Sequence, residues 1–196
     1  MHEELPLATI QGVVLEFLRG RDDVALFGAQ AVNAYVSEPR MTQDIDILSP
    51  RAAEVAQTLR DFLSDRFHIA VRVRQVGRGS GYRLYQVRKP RNRHLVDIRQ
   101  ADSLPQIEQL SGIPVIAPAD LIASKVISYH QRRGKPKSGT DWRDLAMLFL
   151  AFPALKSERG SVQDRLRAAG VEPEILDLWR ELVAQKIEPE DEDEGF

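Results

Sequence analysis

Residues 26–48 read LFGAQAVNAYVSEPRMTQDIDIL, and the two aspartates near their end decide how the rest of the chain is read. The DIDIL segment alternates with period two, which predicts a strand whose Ile45 and Ile47 face a core. Asp44 and Asp46 then share the opposite side, because residues i and i+2 lie on one face. Two carboxylates side by side repel and raise each other's pKa. A divalent cation relieves that repulsion, and Mg²⁺ takes one or two carboxylates together with phosphate oxygens. The competing reading is a solvated edge-strand face. Upstream, DVALFG predicts a short buried strand ending at Gly28, and AQAVNAYV a helix closed by Pro39. A glycine at that junction lets backbone N–H groups approach phosphate oxygens, although many strand-to-helix glycines only make a turn. Arg40 and Thr42 just precede the acids, and Arg40 can meet a phosphate or pair with one of them.

Working outward, apolar residues at Leu7, Ile10, Val14, Phe17 and Leu18 predict an N-terminal helix, with Gly20 as its stop. SPRAAEVAQTLRDFL predicts a helix with Ser49 as N-cap and Pro50 at the first helical position. FHIAVRVRQV and GYRLYQVRKP read as a hairpin around Gly77, Gly79 and Gly81. RHLVDIRQ is a further alternating strand carrying a third acid, Asp97, and residues 113–116 suggest one more. If the Asp97 strand neighbours DIDIL, three carboxylates converge. Such a cluster holds two metal ions for an in-line phosphoryl or nucleotidyl displacement, with Asp97 available as base. His94 reads as a surface or hairpin residue. From Pro118 onward four helical segments follow. The layout predicts an α+β fold: a mixed β-sheet flanked by helices, with a C-terminal helical bundle. The expected domains are a core over 1–116, a helical region packed on it over 117–187, and a disordered acidic tail over 188–196.

Composition narrows the function classes. The chain has 196 residues, a formal net charge of -2, 43% hydrophobic residues and no cysteine. Thiol catalysis, disulfides and cysteine-ligated zinc are excluded. The N-terminal residues lack a signal-peptide layout, and no apolar run approaches the roughly 20 residues of a membrane span. A cytoplasmic location without membrane partners is expected. The stretch around Arg72, Arg74, Arg83, Arg88, Lys89, Arg91 and Arg93 is strongly basic. It reads either as a solvated sheet face with edge-blocking charges or as a platform for RNA or a triphosphate, with Tyr82 and Tyr85 able to stack on bases.

Taken together, residues 26–48 resemble the first motif of the nucleotidyltransferase superfamily, the DNA polymerase β-like fold, and in particular small bacterial AbiEii-type proteins. The matching positions are Gly28, Arg40, Thr42, Asp44 and Asp46; Ala29 stands where the family usually has glycine or serine. The stretch PVIAPADLIASKVISYHQRRGKPKSGTDWRDLAML resembles the family's later helices through Lys125, Arg132, Asp141 and Asp144, so the likeness runs over about residues 24–150. The resemblance implies transfer of a nucleoside monophosphate from an NTP to a hydroxyl of RNA, such as a tRNA 3′ end, or of a protein. It implies two Mg²⁺ ions on Asp44, Asp46 and Asp97. Gly28, Ala29, Arg40, Thr42 and Lys125 would serve the nucleotide, and Arg132, Asp141 and Asp144 would support the site. It further implies a toxin with a cognate antitoxin. A catalytically inactive module that binds RNA or a protein partner is the alternative, and Ala29 favours it. Lys125 shares an apolar helix face with Leu121, Ile122 and Tyr129, so its ammonium must reach an anion or snorkel to solvent. Asp141, three residues after Ser138, also reads as part of a helix start, and Asp144 as a partner of Arg143 or Lys137.

Overall fold

Period-two segments become strands and period-3.6 segments become helices in the computed structural model, which describes residues 5–189. One unit takes in the chain up to Ala34 and Arg40–Ala117; the other takes in Tyr35–Pro39 and the described chain from Pro118 onward. The first begins with α1 (Leu7–Leu18), β1 (Ala25–Phe27) and α2 (Gly28–Tyr35), followed by β2 (Ile45–Ser49) and α3 (Ala52–Phe67). Five strands complete it: β3 (Val71–Val76), β4 (Gly81–Gln86), β5 (Arg93–Gln100), β6 (Ile107–Leu110) and β7 (Ile113–Ile116). The strands form one sheet in the order β3-β4-β5-β2-β1-β7-β6. The pairs β2–β5 and β1–β7 are parallel and the rest antiparallel, so the sheet is mixed. Ile45, Ile47, Leu84, Val96 and Ile98 form a fully buried apolar side of the sheet, and Val55, Leu59 and Leu63 of α3 are buried with them.

Cross-strand partners lie on the same face of a sheet. Arg74 partners Arg83, Arg83 partners Asp97, and Asp97 partners Asp46. One polar row therefore runs across β3, β4, β5 and β2 on the side opposite the apolar one.

Two expectations need correction. Ser49 does not cap α3. It is the buried last residue of β2, and its Oγ donates to the Asp23 carbonyl (2.7 Å) and accepts from the Arg51 N–H (2.9 Å). Pro50 is accordingly outside the helix, which starts at Ala52 with Arg51 as an N-cap lacking a side-chain hydrogen bond. The strand β6 carries no alternation visible in sequence, because it is a four-residue edge strand with only Ile107 and Leu110 apolar. Its hairpin to β7 turns at Ser111 (φ 52°) and Gly112 (φ 79°), two left-handed residues that suit a tight two-residue connection.

The second unit contains α4 (Pro118–Gln131), α5 (Lys137–Ala151), α6 (Ser161–Ala168) and α7 (Pro173–Ala184). Leu121, Leu145, Leu148, Leu166 and Trp179 are fully buried, and the Phe149 and Trp179 rings meet at 5.9 Å. The described residues thus carry seven strands and seven helices, an α+β architecture. No helix among them is long and apolar enough to cross a membrane. The expected acidic tail falls for the most part on residues 190–196, outside the described residues.

Asp23, 8% exposed just before β1, accepts two hydrogen bonds from Arg21 (2.8 and 2.7 Å) and one from Arg51 (2.6 Å). Burial pushes its carboxyl up, but the Arg21 and Arg51 hydrogen bonds and charges outweigh this and hold it below the usual carboxylate range. Asp23→Asn should therefore lose about 2 kcal/mol at neutral pH. A depressed pKa contributes stability above the unfolded-state value and loses it on acidification. The gap between variant and wild type, measured by urea unfolding, should accordingly narrow below about pH 4.

Candidate active site

The parallel register of β2 and β5 sets Asp46 directly opposite Asp97, and Asp44 stands just before β2 with its carboxylate against His94. Of the three expected acids, Asp44 and Asp97 fall in one compact group with His94, and Asp46 is not part of that group. Asp97 accepts a two-pronged ion pair from Arg83: Nε to Oδ1 at 2.6 Å and Nη2 to Oδ2 at 2.9 Å. His94 bridges the other two groups, with Nε2 3.1 Å from Asp97 Oδ1 and Nδ1 3.3 Å from Asp44 Oδ2. Burial pushes the Asp97 carboxyl up, but hydrogen bonds from His94 and Arg83, and their charges, hold it at about 2.

His94 is the participant that alternation could not reveal. It stands three residues before Asp97, so a regular strand would point the two to opposite faces. The pairing of β4 with β5 slips between Leu84 and Tyr85: Leu84 partners Val96 but Tyr85 partners His94, leaving Leu95 unpaired. That bulge brings His94 round to the acidic side and buries both Leu95 and Val96. The one available signal was LV, two adjacent large apolar residues inside an otherwise alternating RHLVDIRQ.

Gly28 opens α2 with φ +69°. A Cβ at this position would lie 2.2 Å from Asp46 Oδ2 and 2.9 Å from Asp46 Cβ. The glycine therefore makes room for a carboxylate, a constraint separate from phosphate approach. Ala29 follows in the first turn, half-buried. The segment before Asp44 is fastened by amides: Gln30 Nε2 donates to Thr42 Oγ1 (2.9 Å), Gln11 Nε2 to the Thr42 carbonyl (3.0 Å), and Asn33 Nδ2 to the Arg40 carbonyl (2.7 Å). Arg40 and Thr42 thus bracket the approach to the acids. Between them Met41 is 97% exposed.

Asp44, His94 and Asp97 each offer one ligand atom, all within 4.8 Å of one another. Carboxylate oxygens suit hard divalent cations, and an imidazole nitrogen extends the range to ions such as Mn²⁺. The donor set fits a divalent ion.

The remaining expected residues occur together in the second unit. Lys125, 7% exposed on α4, donates to Asp144 Oδ2 at 2.6 Å and lies 3.9 Å from Asp141 Oδ1. Arg132 Nη1 donates to both oxygens of Asp141, at 3.0 and 2.9 Å. Asp141 and Asp144 are 2% and 0% exposed. The anion that buried Lys125 needs is therefore on the next helix. Asp141 is not a cap residue, since α5 already begins at Lys137.

A family model described as "Nucleotidyl transferase AbiEii toxin, Type IV TA system" matches residues 15–193. None of the curated proteins matches the chain. Among solved structures, the Megavirus polyadenylate synthase superposes with a TM-score of 0.61 at 13% identity, covering 75% of this chain and 32% of that one. The present chain thus spans about a third of that enzyme's length. JHP933 from Helicobacter pylori gives 0.55 at 11% identity, covering 90% and 87%. An antigenic nucleotidyltransferase-like protein from Paracoccidioides brasiliensis gives 0.50 at 19%, covering 89% and 92%. At these identities the likeness is one of fold.

Gly28→Ala should cost about 1–2 kcal/mol in urea unfolding from its left-handed φ alone. The new methyl should also force the Asp46 carboxylate aside. The depressed Asp97 pKa contributes stability fully present above its unfolded value near 3.8 and lost as pH falls through about 2. Acid titration of wild type against Asp97→Asn should show a gap of about 2 kcal/mol at pH 6 that closes between about pH 4 and 2.

Proposed function

Because the chain belongs to the AbiEii nucleotidyl transferase family, we propose that it transfers a nucleoside monophosphate from an NTP to a hydroxyl of RNA, such as a tRNA 3′ end, or of a protein. The observation that carries this reading is the pairing of Asp46 with Asp97 across β2 and β5, with Asp44 alongside and Gly28 clearing space at a helix start. Asp44, Asp46 and Asp97 are the proposed holders of divalent metal, two Mg²⁺ in the full site. The bound metal supplies neutralising charge for the triphosphate and lowers the pKa of the attacking hydroxyl. Gly28 and Ala29 present backbone N–H groups at the start of α2 to phosphate, where the helix dipole favours anions. Arg40 and Thr42 contact the nucleotide from the segment preceding the acids.

In the reaction the acceptor oxygen forms a bond to the α-phosphorus, and the bond from that phosphorus to the bridging oxygen breaks. Pyrophosphate leaves, and the hydroxyl proton passes to Asp97. Lys125, expected from the resemblance to serve the nucleotide, has its ammonium engaged by Asp144 within the second unit, so the reading rests on the first unit's residues without it. Asp144 and Asp141, with Lys125 and Arg132, form an ion-pair cluster proposed to support the second unit. The family description names a toxin of a toxin–antitoxin system; a cognate antitoxin as partner and the cytoplasm as place of action are part of the proposal.

Ala29, in place of the usual glycine or serine, favours a second reading: a module that kept the fold but binds RNA or protein without transfer. Incubation with each labelled NTP, Mg²⁺ and total tRNA or lysate separates the two. Transfer with pyrophosphate release, reduced at least about 100-fold by Asp44→Asn, is the expected result. Binding to RNA or protein unaffected by that change, with no labelled product, would establish the module instead.

A further inference from the structure

Asp97, a metal holder in the reading above, is already gripped by a guanidinium. Its Oδ1 is held by Arg83 Nε at 2.6 Å and His94 Nε2 at 3.1 Å, and its Oδ2 by Arg83 Nη2 at 2.9 Å. Both lone pairs of Oδ1 are thereby engaged and Oδ2 keeps one, so a cation binding both oxygens, or Oδ1, would have to displace one of those bonds. The cation would also sit beside a fixed positive charge. Asp97 is 17% exposed in its side chain, whereas Arg83 is 37% exposed, so the arginine is the partner with room to move.

We propose that Arg83 is the resident counter-cation of the acid cluster, which releases Asp97 to the divalent ion and turns its guanidinium to the triphosphate. This rests on the nucleotidyl-transfer reading and adds a substrate-contacting residue to it. The planar fork that matches Asp97 also matches two phosphate oxygens. The destination is close, because Arg83 lies in the same cross-strand row as Asp97 and Asp46. Arg74, its exposed partner on β3, adds positive charge on the far side and discourages Arg83 from retreating along the row. The exchange offsets negative charge at each stage: Arg83 partly balances the acids at rest, and the metal takes over that part while the arginine partly balances phosphate.

A purely structural clamp between β4 and β5 predicts something different, because its removal would loosen the acids and weaken metal binding. The test is Mn²⁺ binding to the full chain, followed by the electron-spin resonance of free Mn²⁺, for wild type, Arg83→Gln and Arg83→Lys. Folding is checked by circular dichroism. Without nucleotide, Arg83→Gln should bind Mn²⁺ several-fold tighter than wild type, and Arg83→Lys should fall between them. With Mn²⁺ saturating, binding of an α,β-methylene NTP analogue should weaken about tenfold in Arg83→Gln. Should Arg83→Gln fail to fold, the Nε–H resonance of Arg83 in the wild type decides: it should shift on addition of Mg²⁺ and analogue, and an unmoved resonance overturns the proposal. Unchanged or weaker Mn²⁺ binding by folded Arg83→Gln, with NTP transfer by wild type intact, overturns the counter-cation role and leaves nucleotidyl transfer standing. Tighter Mn²⁺ binding by Arg83→Gln with no analogue binding by wild type overturns the hand-over to phosphate and removes the nucleotidyl-transfer reading with it.

Discussion

The parallel pairing of β2 with β5 is the constraint on which the site depends. It places Asp46 against Asp97 on adjacent strands, where like charges directly opposite are destabilising. Nothing in the apolar packing of Ile45, Ile47, Val96 and Ile98 requires acids on the other side; that packing only fixes the register that brings them together. A one-residue slip would send the isoleucines to the polar side and the acids into the core. Core packing and site geometry are therefore one specification, written on alternate residues of the same two strands.

A guanidinium and an imidazole close at hand offset the repulsion. Arg83 reaches Asp97 from β4, and His94 spans Asp97 and Asp44 by way of the bulge at Leu95. The acids are thereby held in place before any substrate arrives, which is the sense in which such a site is preorganised. Gly28 enters on the same terms: its missing side chain is the space that the Asp46 carboxylate fills. The second unit repeats the principle in a drier setting, where Lys125 and Arg132 meet Asp144 and Asp141. Charges buried to that degree persist only as pairs, because removal of one partner leaves the other uncompensated.

Much of this was legible along the chain. DIDIL and HLVDIR announced strands with acids on one side, and the order glycine, helix, Arg40, Thr42, Asp44, Asp46 was distinctive enough to point to a family. Helices α4 to α7 followed from apolar spacing, as did the need of Lys125 for an anion. Three features were not legible. Ser49 satisfies N-cap chemistry in sequence, yet its hydroxyl is engaged by the Asp23 carbonyl and the Arg51 amide before the helix begins. The strand β6 has too few apolar residues to announce itself and exists because β7 offers it a paired edge. His94 looked peripheral because strict alternation turns it away from Asp97.

The sequence by itself determined residue chemistry and local period: which alternating segments are strands, which side of each is charged, and that Asp44, Asp46 and Asp97 are carried in or beside two of them. Those properties repeat over two to four residues, so they can be read without knowing neighbours. Tertiary structure alone decided which strand lies beside which, and hence that Arg83 holds Asp97, that a bulge delivers His94, and that Asp144 receives Lys125. Each of those contacts joins residues through register or helix packing, and register is a relation between two segments that neither segment carries alone.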